Sequence, residues 1–531
     1  MPKTPTAQTR PLGAQISHML KSRGVDTIFG IPGVHNQEMY RGIEEAGIRH
    51  VLARHEQGAG FMADGYARAS GKPGVAYIIT GPGLCNIMTP LGQAYSDSVP
   101  VLALSSCLDE TAAQRGQLHQ MLDQQAAGAT VCDWSETAQT AQAAYALIDR
   151  ALTEFQTMRP RSKHIQVPIA ALQGEAHAAA PAPRGISRPE PALPQHILPM
   201  LTSARRPLFV LGGGAGGDTE ALREVLARLG AASFVTSAGS GLVGSDDALH
   251  YGSYLPRPDS ANVIAQADCV VAVGTELASV DLWRPALGHK GDFIRVDIDP
   301  EMLAQIHEGE KLCMDAAAFF RGLREALADH AADTGWNAEE VAQTRARWRA
   351  EAGAERPGIV PICDALRAVM PEDAMIYSDM TQFAYVAREV WPMERPGHWH
   401  HPNGFGTLGY AMPAAIGGTC ARPGLPTVAI AGDYGFQYTV QELGTAVELS
   451  QPLPILLWDN GKLKEIEDSM VRAQIAPNAV IARNPDFCAL ARAYGAEAVA
   501  PASLSELQEA LTRAFRTQGP TLIYMTPAMV G

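Results

Sequence analysis

The chain has 531 residues, of which 46% are apolar and 18% are charged, and it contains 50 glycines and 37 prolines. This length exceeds what one hydrophobic core usually supports, so we expect roughly two to four domains, and the apolar content excludes an intrinsically disordered chain. The formal net charge of −14 argues against nucleic acid or an anionic membrane surface as a partner.

Cysteine usage and the lengths of the apolar runs bear on location. The eight cysteines are scattered without Cys-x-x-Cys spacing, which is typical of small buried residues in a reducing compartment. The first residues are polar and lack the apolar core of a signal peptide, and no stretch reaches the roughly 18 apolar residues of a membrane span. We therefore expect a cytoplasmic protein without a membrane partner.

Residues 10–170 alternate between helical and strand-like patterns. Apolar periodicity predicts a helix at 14–23, and short β-branched runs predict strands at 27–31, 75–79 and 99–105. Turns that contain proline and glycine follow the first two of these strands. Strands that alternate with helices are typical of a parallel, doubly wound sheet.

A glutamate stands at the start of the next predicted helix. Glu56 lies in the segment RHEQGAG, directly before a helical pattern at 60–69. A carboxylate there has an ordinary explanation, because negative charge at a helix N-terminus is favourable by about 0.3–1 kcal/mol. From these residues alone the ordinary explanation is preferred, and a catalytic role for Glu56 depends on the rest of the chain.

Composition marks two interruptions in the α/β pattern. Residues 171–195 are rich in alanine and proline with little periodicity, which indicates a linker, and a charged helical stretch at 337–355 leads to a Pro-Gly pair. The predicted organisation is an N-terminal domain at 1–175, a linker at 176–195, a central domain at 196–345, a linker at 346–360 and a third domain at 361–531.

The central region contains a glycine-rich turn. A predicted strand at 207–211 runs into Gly212, Gly214 and Gly217, whose spacing matches the G-x-G-x-x-G of Rossmann dinucleotide sites. Such sites need a carboxylate at a strand end about 20 residues later, but the residues that lead up to that position, Glu224, Arg228 and Gly230, follow a helical pattern. We therefore favour a structural central domain over a dinucleotide site.

The third domain holds the most informative pattern. An apolar strand at 427–431 leads to a turn with Asp433, a helical pattern covers 440–449, and a second strand at 454–458 leads to Asn460. Consecutive strands of such a unit are parallel, so both polar residues emerge at the same edge of the sheet. Oxygen ligands beside a glycine-rich turn suit Mg²⁺ and a diphosphate. The alternative is two ordinary turns.

This unit resembles a known cofactor motif. Asp433 follows a glycine and precedes Asn460 by 27 residues, which resembles the thiamine-diphosphate motif Gly-Asp-Gly…Asn-Asn. Tyr434 replaces the second glycine of that motif, and Asp459 replaces its first asparagine. Residues 54–105 similarly resemble the pyrimidine-binding domain of the acetohydroxyacid-synthase-like branch of this family. The resemblance implies an α/β chain with three doubly wound parallel-sheet domains: pyrimidine-binding, central and diphosphate-binding.

The resemblance also implies the roles of individual residues. The predicted catalytic residues are Glu56, which matches the essential carboxylate of the family, His119 and Gln120. The predicted cofactor-binding residues are Pro32, Gly33, Glu56, Thr80, Gly81, Asn86, Thr381, Gln382, Gly406, Leu408, Gly432, Asp433, Tyr434, Gly435, Asn460 and Leu463. The predicted metal ligands are Asp433, Asn460 and the main chain of Lys462. The predicted substrate contacts are His35, Asn36, Gln117, Glu465 and Asp468.

Two of these substrate candidates have a competing explanation. Glu465 and Asp468 are three positions apart on a predicted helix, so they share a face. A charged face is usually solvated, but it could also pair with a cationic substrate. The chain is similar overall to the 5-guanidino-2-oxopentanoate (2-ketoarginine) decarboxylases of this family, whose substrate carries a guanidinium that two carboxylates would suit.

The expected activity follows from the expected cofactors, thiamine diphosphate and Mg²⁺. Thiamine diphosphate takes up the electron pair released when a 2-oxo acid loses CO₂, so we expect non-oxidative decarboxylation to an aldehyde. The alternatives are carboligation of the acetolactate synthase type and a cofactor-binding homologue without turnover, which Tyr434 and Asp459 suggest. FAD in the central domain is an open option but is not expected. The family implies a homodimer or homotetramer with active sites between subunits.

Overall fold

The computed structural model describes residues 9–110, 115–182, 190–305, 308–481 and 483–530. The predicted linker at 176–195 therefore lies partly outside the described residues, which omit 183–189. In the described part of the chain, none of the helices combines the length and the hydropathy needed to span a bilayer.

The N-terminal domain alternates strands and helices around one parallel sheet. Its strands are β1 Arg10–Pro11, β2 Thr27–Gly30, β3 Arg49–Leu52, β4 Gly74–Ile78, β5 Val101–Cys107, β6 Trp134–Thr137, β7 Lys163–Pro168 and β8 Glu175–Ala176. Its helices are α1 Leu12–Ser22, α2 Gln37–Glu45, α3 Glu56–Ser70, α4 Pro82–Ser96, α5 Gln124–Ala129, α6 Ala141–Thr157 and α7 Ile169–Gln173. The sheet order is β3-β2-β4-β5-β7-β6, and β1 pairs with β8 apart from it.

The central domain has a second parallel sheet. Its strands are β9 Pro207–Leu211, β10 Ala232–Val235, β11 Cys269–Val273, β12 Asp292–Asp297 and β13 Glu310–Cys313, in the order β10-β9-β11-β12-β13. Its helices are α8 Ile197–Ser203, α9 Thr219–Leu229, α10 Ser260–Ile264, α11 Ser279–Leu282, α12 Pro300–Ala304 and α13 Ala316–Ala326. A long helix, α14 Ala338–Glu355, leads to the third domain.

The third domain repeats the architecture. Its strands are β14 Met375–Ser378, β15 Trp399–His400, β16 Thr427–Gly432, β17 Leu453–Trp458, β18 Glu497–Val499 and β19 Pro520–Met525, in the order β15-β14-β16-β17-β19-β18. Its helices are α15 Ile359–Val369, α16 Gln382–Val390, α17 Ala411–Ala421, α18 Asp433–Tyr438, α19 Leu443–Leu449, α20 Lys464–Arg472, α21 Phe487–Ala493 and α22 Leu504–Ala514. The predicted α/β class with three doubly wound parallel-sheet domains is therefore confirmed, while the residue boundaries of the domains stay a prediction.

Two helices differ from the predicted elements. The helix predicted at 60–69 begins earlier, at Glu56, because the His55 ring caps it: His55 Nδ1 accepts the N–H of Gln57 at 3.1 Å. The helix predicted at 440–449 is a 3-10 turn at Val440–Glu442 followed by α19, and α18 begins directly at Asp433. Asp433 therefore opens a helix of its own.

The first and third domains share one core. Helix α3 packs against α17 so closely that a Cβ on Gly65 would lie 1.9 Å from the carbonyl oxygen of Ala414, and one on Gly417 would lie 1.9 Å from that of Met62. Both glycines are needed for this approach, since any side chain would push the helices apart. The packing places the start of α3, where Glu56 lies, against the third domain.

Candidate active site

The strand ends of β16 and β17 bring three side chains together. Gly432 pairs with Trp458 in the parallel register, so the residues that follow them emerge side by side. Asn484 Nδ2 donates to Asp433 Oδ2 at 2.7 Å and to Asp459 Oδ1 at 2.9 Å. The predicted proximity of the two turns is thus borne out by the register, with Asp459 as an additional carboxylate and Asn484 as the bridge between them.

The environment of Asp433 favours a bound cation. Burial raises the pKa of its carboxyl to about 6; Asn484 opposes this shift, and the neighbouring Asp459 carboxylate adds to it. Asp459 itself accepts the N–H of Gly461 at 2.8 Å and the hydroxyl of Tyr524 at 2.9 Å. A cation at this edge would offset the repulsion between the two carboxylates.

The other predicted metal ligands supply amide and main-chain oxygen. Asn460 Nδ2 donates to Gln382 Oε1 at 3.4 Å, and Asn460 Oδ1 accepts the N–H of Lys462 at 3.3 Å. The described residues contain no cluster of three or more His, Cys, Asp or Glu suited to a metal. One or two carboxylates completed by neutral oxygens fit Mg²⁺, which takes its remaining ligands from phosphate and water. The residues present thus fit Mg²⁺ with a diphosphate.

Asp379 ties together the loops that carry most of the predicted cofactor-binding residues of this domain. Its carboxylate accepts the N–H groups of Met380 and Gly409, each at 2.8 Å. A Cβ on Gly435 would lie 2.5 Å from Asp379 Oδ2, and one on Gly432 would lie 3.0 Å from Thr381 Cβ. Burial raises the pKa of Asp379 to about 6, against the effect of these N–H groups. The structure therefore places residues 379–382, 404–411 and 432–435 at one edge of the sheet.

Several predicted residues of this edge have environments that leave them accessible. Leu408 is only partly buried, whereas Tyr410 beside it is fully buried in the core. Gly406 has a φ of +67°, which only glycine adopts easily, and it is exposed. Tyr434 and Leu463 are half-buried. These positions can meet a ligand, and their cofactor roles stay predictions.

Glu56 is a buried carboxylate at the first position of α3. Asn86 Nδ2 donates to Glu56 Oε2 at 2.9 Å, and a Cβ on Gly83 would lie 3.6 Å from Glu56 Oε1. The predicted catalytic Glu56 and the predicted cofactor-binding Asn86 are therefore direct partners. A buried carboxylate with one fixed donor is suited to hold or transfer a proton at a neighbouring ring nitrogen.

The turn after β4 lies under the segment that carries His119. Thr80 Oγ1 donates to Ser106 Oγ at 2.8 Å, and the Gly81 N–H donates to Gln124 Oε1 at 2.8 Å. Gly81 has a φ of +70°, and a Cβ there would lie 2.2 Å from the His119 carbonyl oxygen. The close approach requires glycine at this position.

Two predicted histidines meet in space. The rings of His35 and His119 are 4.8 Å apart, edge to face, and the Nδ1 atom of each is buried without a hydrogen-bond partner. Burial and the nearby His119 lower the pKa of His35. Unpaired buried ring nitrogens are costly, so a polar ligand here would supply the missing partners. The structure brings together one predicted catalytic residue and one predicted substrate residue.

Other predicted residues beside these histidines shape the loops. Asn36 is fully buried, accepts the Gly33 N–H at 2.7 Å and donates to the Ile31 carbonyl at 3.4 Å. Its side chain therefore holds the turn that contains the exposed Pro32. Gln117 Nε2 donates to the Glu110 carbonyl at 2.7 Å, and the Gln117 N–H donates to Gln120 Oε1 at 3.3 Å. The substrate and catalytic roles of these residues stay predictions.

The two carboxylates of α20 have different partners. Glu465 Oε1 accepts Arg356 Nε at 2.9 Å and Gln382 Nε2 at 2.8 Å. Asp468 instead pairs with Lys464 one turn away. The two carboxylates therefore do not form one fork: Glu465 holds a guanidinium of this chain and Asp468 holds a lysine. The substrate roles of both residues stay predictions.

The glycine-rich turn of the central domain packs closely against the end of β11 and also lines a cleft, and the structural role expected for it stays a prediction. A Cβ on Gly212 would lie 2.2 Å from the Gly274 carbonyl oxygen. A cleft of about 490 Å³ lies beside this turn, and Arg159, which faces it, pairs with Glu276 and with Asp299. Glu224 lies on α9, where the sequence predicted a helix.

Sequence reasoning missed three residues that organise the site. Asn484 bridges two carboxylates, Gln124 holds the Gly81 turn, and Glu442 contacts the residues before Glu56. Each acts on a segment far away in the chain, so spacing offered no signal. Glu442 lies among polar and apolar residues alike, so its burial had no signal in the sequence.

Comparison with known proteins agrees with this geometry. Residues 10–127 match the model of the thiamine pyrophosphate enzyme N-terminal TPP binding domain, residues 195–323 the central domain, and residues 379–525 the C-terminal TPP binding domain. The chain is 43% identical over 529 residues, covering 98% of it and 95% of the relative, to the protein of Pseudomonas aeruginosa named "Probable 2-ketoarginine decarboxylase AruI". It is 28% identical, covering 97% and 95%, to the acetolactate synthase isozyme 2 large subunit of Escherichia coli. The chain therefore belongs to the thiamine pyrophosphate enzyme family.

Proposed function

We propose that this protein decarboxylates a 2-oxo acid non-oxidatively to an aldehyde and CO₂, with thiamine diphosphate and Mg²⁺. When bound, the cofactor accepts the electron pair that CO₂ leaves behind. The observation that carries the proposal is the combination of the buried Glu56–Asn86 pair with the oxygen-rich edge formed by Asp433 and Asn460. Asp433 and Asn460 would hold the metal, with the main chain of Lys462.

Each side of the site has a separate task. Glu56 would hold and return a proton at the pyrimidine ring, with its orientation set by Asn86. General acid–base assistance of this kind is typically worth about 10²–10⁴-fold in rate. The His35 and His119 rings, with buried unpaired Nδ1 atoms, would orient the oxo-acid group or its product.

The substrate class we propose is a basic 2-oxo acid such as 5-guanidino-2-oxopentanoate. The relative from Pseudomonas aeruginosa supports this through its name. Glu465 supports it chemically, because the same carboxylate oxygen accepts Nε and Nη2 of Arg356, each at 2.9 Å, and lies one hydrogen bond from Gln382. A substrate guanidinium that replaced Arg356 would find this acceptor already in place.

A substrate panel tests the activity. The holoprotein would be incubated with basic, aliphatic and aromatic 2-oxo acids and Mg²⁺, and CO₂ and organic products would be measured. We expect equal amounts of CO₂ and free aldehyde, with the basic substrate preferred. An acyloin as the main product would refute the proposal in favour of carboligation, which the acetolactate synthase relatives support.

A matched pair of variants tests the guanidinium site. Glu465→Gln should lower kcat/KM for the guanidino substrate about 10- to 100-fold relative to an aliphatic one, the worth of a hydrogen bond between charged groups. Asp468→Asn, one turn along the same helix, should leave this ratio unchanged because Asp468 pairs with Lys464. Equal effects of both variants on both substrates would show that Glu465 is structural.

A homologue without turnover is the third candidate. The substitutions Tyr434 and Asp459 motivate it. Two observations argue against a homologue without turnover. Glu56 is buried with its donor Asn86, and Gly406 and Leu408 remain accessible. Absence of CO₂ release from every acid of the panel, despite cofactor binding measured by calorimetry, would favour this candidate.

We propose a homodimer or homotetramer whose active sites combine two subunits. Glu56 accepts a hydrogen bond from Asn86 within the first domain, and Asp433 accepts one from Asn484 within the third domain. Apolar side chains are exposed on the segment that carries His119 and on α20 and the residues after it: Leu118, Leu122, Ile466, Val471 and Ile475. A second copy would remove this apolar surface from water.

Complementation tests the shared site. Glu56→Gln and Asp433→Ala variants, each inactive alone, would be mixed after dissociation and reassembled. If Glu56 of one subunit serves the metal edge of the other, mixed dimers keep one intact site, and about one quarter of wild-type activity returns. Sites contained in single chains would give no recovery, and sedimentation would show the assembly directly.

We also propose that the central domain carries no flavin and that the protein is cytoplasmic. Arg159 pairs with Glu276 and Asp299. Because these carboxylates already balance its charge, the guanidinium is not free to bind the diphosphate of a flavin nucleotide. All eight cysteines, each within the described residues, are free thiols, as is usual in a reducing compartment. Flavin absorbance released from the denatured protein would refute the first point.

A further inference from the structure

A buried carboxylate of the third domain accepts hydrogen bonds from the backbone just before Glu56. Glu442 is fully buried at the end of the 3-10 turn before α19. The N–H of Arg54 donates to Glu442 Oε1 at 3.2 Å and to Oε2 at 3.1 Å, across 388 positions of the chain, and the N–H of His55 faces the same carboxylate. The Thr445 hydroxyl has two acceptors for its one hydrogen, Glu442 Oε2 at 3.1 Å and the Leu52 carbonyl oxygen at 2.9 Å.

The neighbouring residues are arranged around this contact. A Cβ on Gly58 would lie 2.3 Å from Glu442 Oε1, so no side chain fits there while the carboxylate is in place. Thr445 Oγ1 lies 2.9 Å from the Leu52 carbonyl oxygen. The Arg54 side chain pairs with Glu448 on the next turn of α19. The residues that lead into α3 are therefore held by the turn before α19 and by α19 itself, through the backbone of Leu52 and Arg54 and the side chain of Arg54.

The physical consequence concerns the direction of Glu56. Glu56 opens α3, so the path of residues 54–55 decides where its carboxylate points. The two N–H···O distances of 3.1 and 3.2 Å are ordinary hydrogen-bond lengths. Hydrogen bonds in a dry site resist reorientation, because no water replaces a lost partner. Burial raises the pKa of Glu442 to about 7, while the N–H groups and Thr445 oppose this shift.

We propose that Glu442 is a positioning residue for Glu56. Its carboxylate accepts the N–H groups of Arg54 and His55 and so fixes the start of α3. Gly58 lacks a side chain and so leaves room for the Glu442 carboxylate. The inference rests on the proposed role of Glu56 in proton transfer. Glu442 touches neither substrate nor cofactor, and it acts only through the backbone.

Glu442→Ala in the holoprotein tests the proposal, with Glu448→Ala as its matched control. The first readout is exchange of the thiazolium C2 proton of bound thiamine diphosphate for deuterium without substrate. The second is amide exchange of residues 52–60. Glu442→Ala should lower the rate of C2 exchange and kcat about 100-fold, which is the effect of displacing a catalytic group by about 1 Å. The same variant should accelerate amide exchange of residues 52–60. KM and cofactor affinity should stay within about threefold. Glu448→Ala should behave as wild type, because Glu448 pairs only with the Arg54 side chain among its described contacts.

Gly58→Ala provides an independent route that leaves Glu442 in the chain. The added methyl group displaces the carboxylate and should slow C2 exchange to a similar degree. The double variant Gly58→Ala/Glu442→Ala should be no slower than the slower single variant, because both changes remove the same contact. Multiplied effects would overturn the proposal.

The outcomes separate the two levels of inference. Wild-type protein that binds no thiamine diphosphate, or shows no accelerated C2 exchange, would refute the proposed function itself. Rapid wild-type exchange that Glu442→Ala leaves unchanged would refute only the positioning role. Loss of cofactor affinity together with normal C2 exchange per bound cofactor would also refute it, because Glu442 would then be structural.

Discussion

The contact between α3 and α17 depends on a buried ionic network. Asp64 is fully buried, and its Oδ1 accepts Arg68 Nε at 2.7 Å and the Tyr410 hydroxyl at 2.7 Å. Arg68 Nη2 also donates to Asp97 at 2.9 Å. Burial raises the pKa of the Asp64 carboxyl, and Arg68 and the Tyr410 hydroxyl oppose this shift. Burial also opposes the charge of Arg68, but Asp64 and Asp97 outweigh it and raise the pKa of the guanidinium above its ordinary value. Arg68 therefore stays charged at neutral pH.

Removal of one carboxylate from this network should be costly. Asp64→Ala leaves the Tyr410 hydroxyl without its acceptor and the buried Arg68 with one carboxylate instead of two. Breaking a buried ion pair typically costs about 3–5 kcal/mol, and since Asp97 remains we expect about 3 kcal/mol of unfolding free energy to be lost. Asp64→Ala/Arg68→Met removes the buried charge as well and should be more stable than Asp64→Ala by about 1 kcal/mol or more. Asp97 retains the N–H of Gly404 at 2.8 Å in both variants.

Urea unfolding, followed by tryptophan fluorescence, measures these differences. Asp26→Ala serves as the control, because Asp26 is half-exposed and pairs with two surface lysines. Its loss should cost less than about 1 kcal/mol. A midpoint for Asp64→Ala equal to that of Asp26→Ala would refute the reasoning. A double variant Asp64→Ala/Arg68→Met that is less stable than Asp64→Ala would refute it as well.

Three further predictions concern the cofactor. Glu56→Gln should lower kcat by about 10²–10⁴-fold and leave thiamine diphosphate affinity near wild type in calorimetry; unchanged turnover would exclude proton transfer by Glu56. Asp433→Ala should abolish Mg²⁺-dependent cofactor uptake, and a chelator should release the cofactor from wild type; uptake independent of Mg²⁺ would exclude the metal role. Gly435→Ala should weaken cofactor binding about tenfold, because its Cβ would lie 2.5 Å from Asp379 Oδ2. The control Gly353→Ala in α14 should leave cofactor binding unchanged, because its Cβ would make only an ordinary 3.5 Å contact.

Much of the fold and the cofactor edge could be predicted because their signals are local. The run at 207–211 is strand β9 to the residue, and the runs at 427–431 and 454–458 are β16 and β17 within one residue at each end. Each of these elements can be predicted from neighbouring residues alone: a strand from an apolar run, a turn from glycine and a helix from apolar periodicity. The right-handed crossover then placed Asp433 and the residues after β17 at one edge without further information.

Individual contacts could not be predicted, because they join segments far apart in the chain. Asn484 reaches Asp433 across 51 positions, Arg356 reaches Glu465 across 109, and Arg54 reaches Glu442 across 388. The amino-acid sequence by itself determined the α/β class, the three-domain pattern and the residue types at each strand end. Only the tertiary structure decided which buried carboxylate faces which donor, because that choice depends on how the domains pack, as in the approach of Gly65 to Ala414.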